Sequence, residues 1–183
     1  MKPTYVFFAD GFEEIEALSV VDILRRAEMP VVTVSINATE RVTGAHGVVV
    51  MADTTIAATN SGEAEWLVCP GGMPGASNLY ACEPLRTWLS AQYESGGKVA
   101  AICASPAIVL APMGMLNGRQ AVCYPGMETS DEAIQWADGD VAIDGNVTTG
   151  NGPASAAEFA FALVEQSMGR DCFLEIGEQM LFA

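Results

Sequence analysis

Three short segments carry the residue types that chemistry needs: Ala9-Asp10-Gly11-Phe12-Glu13-Glu14-Ile15-Glu16, Cys69-Pro70-Gly71-Gly72-Met73-Pro74-Gly75 and Ala101-Ile102-Cys103-Ala104-Ser105-Pro106. In the last, a cysteine comes after an apolar run and before small residues. Small neighbours permit a sharp strand-to-helix turn of the nucleophile-elbow kind, which lifts a side chain above the sheet edge. Ser105 is placed to cap the next helix, with Pro106 at its first position. The positive helix end would then lower the thiol pKa and favour thiolate. The competing reading of Cys103 is a buried structural cysteine, since free Cys is among the most buried residue types.

Gly71 and Gly72 suit an anion cradle, because consecutive glycines let backbone N–H groups converge on one point. An ordinary tight turn explains them too. Cys69 is a rival nucleophile, but Trp66-Leu67-Val68 before it place it inside a buried strand. Glu16 falls inside the first helix, close to its apolar stripe. A partly desolvated carboxyl there has a raised pKa and can stay protonated, donating a hydrogen bond to a thiolate. Solvated helix glutamate is the plainer reading, and it suits Glu13 and Glu14 better.

The elements that must position these residues alternate from end to end, with no repeat and no linker. Strands are expected at 4–8, 31–36, 48–51, 66–69, 99–102 and 121–124. A hairpin is expected over 141–149, turning at Asp144-Gly145. Helices are expected at 13–27, 79–93, 104–110, 154–168 and 172–181. The first should bury Ile15, Leu18, Val21 and Leu24, and the second Leu85, Trp88 and Leu89. This alternation predicts an α/β fold of one domain, residues 1–183, with a mostly parallel, doubly wound, flavodoxin-like sheet covered on both faces. Ligands bind such folds beyond the C-terminal ends of the strands, where the three segments lie.

Composition narrows the function. The chain has 183 residues, half of them apolar, and a net charge of −15. That charge argues against nucleic acid and against anionic membrane surfaces, since both need Lys or Arg to meet phosphates. No secretory signal and no membrane span are read: the most apolar stretch is broken by Pro106, Pro112 and Gly114. The five cysteines are odd in number and never C-x-x-C, which points to reduced thiols and a cytoplasmic protein. With His46 the single histidine and no ligands expected to gather around it, no metal and no cofactor are expected.

These segments, with Gly75-Ala76-Ser77-Asn78-Leu79, Cys123-Tyr124-Pro125-Gly126 and Gly152-Pro153 leading into Glu158-Phe159-Ala160, resemble the ThiJ/PfpI superfamily. The likeness is to the branch containing the human parkinsonism-associated protein and its bacterial relatives, and runs from Tyr5 to about Gly169. It implies a class I glutamine amidotransferase-like fold and a homodimer. It makes Cys103 the reactive, easily oxidised cysteine and Glu16 the carboxyl that hydrogen-bonds it. Gly71, Gly72 and Ala104 would supply N–H groups around the site, and Gly152 and Pro153 would line it. Many relatives have histidine where this chain has Tyr124, a poor base but a hydrogen-bond donor. His46 falls where some dimeric relatives place an arginine reaching the partner's site, so it is a candidate to approach Cys103 across a dimer. A turn histidine between Gly44 and Gly47 is the plainer reading.

The resemblance implies a glutathione-independent glyoxalase or a deglycase acting on small carbonyl substrates. The alternative is an oxidative-stress sensor or chaperone cycling Cys103 through its oxidised forms. Labels of thiazole biosynthesis or proteolysis fit less well, because the pocket segments carry no Lys or Arg and Tyr124 is a weak base. Cys123 is a candidate resolving thiol, or simply a packed strand cysteine.

Overall fold

The structure, a computed structural model, describes residues 1–60 and 62–182. Its centre is a seven-stranded sheet whose members are β1 (Thr4–Phe8), β2 (Val31–Ser35), β5 (Thr54–Thr55), β6 (Trp66–Cys69), β7 (Lys98–Ile102), β10 (Val141–Asp144) and β11 (Val147–Gly150), in the order β10-β11-β7-β6-β1-β2-β5. Every pairing is parallel except the β10–β11 hairpin. Two short ribbons lie outside it: β3 (Arg41–Thr43) with β4 (Val49–Met51), and β8 (Gln120–Ala121) with β9 (Gln135–Trp136).

The strands read as apolar runs because both faces are covered. Val6, Phe8, Trp66, Val68, Ala100 and Ile102 face one core, which α1 (Glu14–Arg26) and α4 (Ala156–Met168) close. Phe7, Ala9, Leu67, Cys69, Val99 and Ala101 face the other, closed by α3 (Glu83–Glu94) through Leu85, Trp88 and Leu89. The remaining helices are α2 (Gly75–Ala81) and α5 (Arg170–Gln179). No described helix is long and apolar enough to cross a membrane.

Four expectations are corrected. The inner face of α1 holds Glu16, Ala17, Val20, Val21, Ile23 and Leu24, whereas Ile15 and Leu18 are exposed. The stripe turns through about one residue, since one step around a helix is about 100°. The helix expected over 79–93 is two, broken at Cys82, whose ψ of 100° is extended; Pro84 then opens α3. The strand expected over 121–124 ends at Ala121. After β7, the helix expected over 104–110 is of π type, Pro106–Leu110, and runs on into a 3-10 turn, Ala111–Met113.

Candidate active site

The strands β7, β6 and β1 are neighbours in the sheet, so the three chemistry-bearing segments leave it side by side. Backbone bonds knit them together: Glu13 N–H donates to the Gly71 carbonyl at 3.0 Å and Gly75 N–H to Gly11 at 3.2 Å. Asn78 Nδ2 donates to the Asp10 carbonyl at 2.8 Å.

Cys103 sits at φ +64°. This left-handed conformation is costly for a side chain with a Cβ and persists where the surroundings enforce it. Alternation along β7 would turn Cys103 to the α3 face, but the positive φ turns it to the α1 core instead. Cys103 is 7% exposed and Glu16 is 0% exposed. The two side chains interact directly, each acting on the other's protonation.

Gly71 is wedged between them. A Cβ there would lie 2.6 Å from Cys103 Cβ and 2.7 Å from Glu16 Oε2, so only glycine fits. Gly72, at φ +85°, would press a Cβ onto the Gly11 carbonyl at 2.5 Å. The Gly72 and Ala104 N–H groups lie near enough to the Cys103 sulfur to favour its thiolate. The Gly71 N–H is engaged elsewhere, donating to Glu16 Oε2 at 2.8 Å. Glu16 Oε1 has no hydrogen-bond partner among the described residues.

Burial pushes the Glu16 carboxyl up to about 7, against its hydrogen bonds to Cys103 and Gly71. Burial, then the charge and hydrogen bond of Glu16, push the Cys103 thiol up to about 12, overriding Gly72 and Ala104. The lowered thiol expected from a helix end is therefore corrected. Burial first, and then an ionised carboxylate beside the sulfur, outweigh what that helical turn offers. The two groups titrate as a pair, fully protonated below about 7 and sharing one proton above it. The first proton lost leaves the charge mainly on Glu16, and the thiolate forms by exchange of the remaining proton from Cys103 to that carboxylate, with Gly72 and Ala104 favouring the charge on sulfur.

Tyr124 sits at the rim, half exposed, its N–H donating to the Cys103 carbonyl at 2.8 Å. Gly152 is packed under its ring, where a Cβ would lie 3.6 Å away. Pro153 comes next, in a short 3-10 turn. Cys123 is buried, its Sγ 3.6 Å from the Tyr124 carbonyl, and burial and Glu128 push its thiol up to about 12. Cys69 is fully buried in β6, and burial pushes it to about 12.

His46 lies in the β3–β4 turn against α1. Its Nδ1 is 2.7 Å from Glu14 Oε2, and its backbone N–H donates to Glu14 Oε1 at 2.7 Å. The Glu14 hydrogen bond raises the exposed imidazole's pKa. Burial would raise Glu14, but the bonds from His46 hold it below the usual carboxylate range. Two expectations fail here. Glu13 and Glu14 are buried, 7% and 8% exposed, not solvated. Carboxylates do gather at His46: donor atoms of Glu13, Glu14 and His46 lie within 4.8 Å of one another, a spacing that a cation could bridge. Helix capping and ion pairing already explain that cluster.

Two residues acquire roles that their sequence positions concealed. Glu13 Oε2 caps α1 by accepting the Glu16 N–H at 2.7 Å. The signal was an acidic residue three before Glu16 at a helix start. Ser105 does not cap; its hydroxyl donates to the Pro70 carbonyl at 2.6 Å. No local pattern announces that long-range bond.

Comparison with known proteins agrees with this fold. Residues 2–166 match the model of the DJ-1/PfpI family. The chain is 35% identical over 173 residues to Protein DJ-1 homolog B of Arabidopsis thaliana, covering 94% of this chain but 40% of that longer protein. It is 33% identical over 158 residues to the Glutathione-independent glyoxalase DJR-1.2 of Caenorhabditis elegans, covering 86% of this chain and 83% of that one. Oxidized DJ-1 of Toxoplasma gondii superposes over 100% of both chains with a TM-score of 0.94 at 38% identity. The chain belongs to the DJ-1/PfpI family, in its DJ-1 branch.

Proposed function

We propose that the protein is a cofactor-independent, cysteine-dependent enzyme acting on small dicarbonyls or glycated adducts, of the glyoxalase or deglycase type. The observation that carries this reading is the Cys103 sulfur, turned by a positive φ onto a fully buried Glu16 and met by the Gly72 and Ala104 N–H groups. A nucleophile, a proton carrier and oxyanion donors then share one point. The relative from C. elegans bears the glyoxalase name.

With methylglyoxal, the Cys103 thiolate adds to the aldehyde carbon. A C–S bond forms, and the carbonyl π electrons move to oxygen, which takes the Glu16 proton. The Glu16 carboxylate next removes the proton from that carbon and returns it to the neighbouring carbon through an enediol, leaving a thioester. Water cleaves the C–S bond, giving lactate and restoring the thiolate. No external electron acceptor enters, because the aldehyde is oxidised as the ketone is reduced. Tyr124, at the rim, donates a hydrogen bond to the second carbonyl.

The test is lactate formation from methylglyoxal without glutathione. The parent protein should form lactate and Cys103→Ala should form none; no lactate from either sinks the reading. A second reading, oxidation sensing by the same thiol with a chaperone role, is favoured by the oxidized state of the T. gondii relative. It predicts peroxide-dependent oxidation of Cys103 without turnover.

The protein is also proposed to be a homodimer. The β3–β4 hairpin meets the start of α1 where Glu14 binds the His46 and Val48 N–H groups, and both elements carry exposed apolar residues: Ile15 and Leu18 on α1, Val48, Val49 and Met51 on the hairpin. His46 stands at the edge of that apolar face, which brings it toward a partner's site. Nucleic acid and membranes are not proposed as partners.

A further inference from the structure

Ser105 is two residues beyond Cys103 and is 0% exposed. A buried hydroxyl needs a partner, and Ser105 Oγ finds it 35 positions away, on the Pro70 carbonyl at 2.6 Å. That carbonyl belongs to the same planar peptide as the Gly71 N–H. In a trans peptide the two point in opposite directions, so anchoring the oxygen aims the N–H. The Gly71 N–H is aimed at Glu16 Oε2, 2.8 Å away. The next peptide is held in the same manner: Glu13 N–H binds the Gly71 carbonyl at 3.0 Å, and the Gly72 N–H meets the Cys103 sulfur. Each donor of the loop thus has an anchor behind it. Anchors are needed because glycines at both positions leave the peptides otherwise free to rotate.

We propose that Ser105 is a positioning residue for the Glu16–Cys103 pair: its hydroxyl locks the Pro70–Gly71 peptide so that the Gly71 N–H meets the Glu16 carboxyl. The bond ties the nucleophile's own turn to the loop that holds its proton partner. It acts on Glu16 alone and touches no substrate. The Gly71 N–H favours ionised Glu16, so loosening it makes the pair keep its first proton to higher pH.

The test measures iodoacetamide capture of Cys103 against pH, read by peptide mass spectrometry, in the parent, Ser105→Ala and Ser105→Cys. The capture midpoint should move up by about one pH unit in Ser105→Ala, with the rate well below the midpoint unchanged and the plateau above it about tenfold higher, because only ionised Glu16 loses a donor. Ser105→Cys, with a weaker donor, should fall between. Far-UV circular dichroism verifies that each variant is folded. Folded variants with the parent's midpoint overturn the proposal. If only Ser105→Cys folds, an upward shift supports it and an unchanged midpoint overturns it. The inference rests on the Glu16–Cys103 pair but not on turnover: a protein that makes no lactate still answers.

Discussion

Glu16 is the proton carrier of the proposed chemistry, and its burial has a thermodynamic cost. In the unfolded chain it titrates as an ordinary carboxyl near 4.5, and in the folded chain at about 7. Between those values the native state holds a proton that the unfolded state releases, so this group's contribution to stability falls as pH rises through the window. The expected loss is on the order of 3 kcal/mol, complete above about 7. Urea melts from pH 4 to 8 should show that decline in the parent and lose most of it in Glu16→Gln. Equal slopes in the two would place the carboxyl in water. Glu16 is legible in the sequence only as one of three glutamates at a helix start, set apart by its place near the apolar stripe and by the family resemblance, and the large hydrophobes misphase the stripe itself. Ala17 and Glu16 lie inward, yet neither counts as a large hydrophobe. Ile15 and Leu18 do count, and they point outward.

At the scale of elements, the strands of the large sheet are the most readable feature. Buried parallel strands are apolar on both faces, so β1, β6 and β7 stand out as continuous runs bounded by Gly, Pro or small residues. The two- and three-residue strands β3, β5 and β9 escape a sequence reading, since so few residues carry no period. The turn after β7 is legible in place but not in kind. Small residues there do permit the elbow, but the element beyond it is a π-type turn running on into a 3-10 turn, not an α-helix. The thiol is governed instead by its burial, and then by groups from two other strand ends, Glu16 beyond β1 and Gly72 beyond β6. Long-range bonds such as Ser105 to Pro70 have no local signature.

For the whole molecule, the charge of −15 arises from 23 acidic and 8 basic residues. Among the described residues, Lys2, Arg25, Arg26, Lys98, Arg119 and Arg170 each pair with a carboxylate. The face formed by α1 and the β3–β4 hairpin differs: Ile15, Val48, Val49 and Met51 are each at least 45% exposed. Apolar patches of this kind mark interfaces. Light scattering after size exclusion should give twice the chain mass of 19.2 kDa for the parent and the single mass for the double variant Ile15→Glu, Met51→Glu. A parent that elutes as a single chain at tens of micromolar would remove the homodimer, and with it the approach of His46 to a partner's thiol.

The central claim is that Cys103 and Glu16 form one proton-sharing pair, and the rate of Cys103 capture by iodoacetamide between pH 5 and 9 tests it most directly. Loss of the first proton from the pair should make the rate climb tenfold per pH unit up to about 7 and then level off. A rate still climbing at pH 9, as for an isolated buried thiol, would contradict the pair and the mechanism built on it.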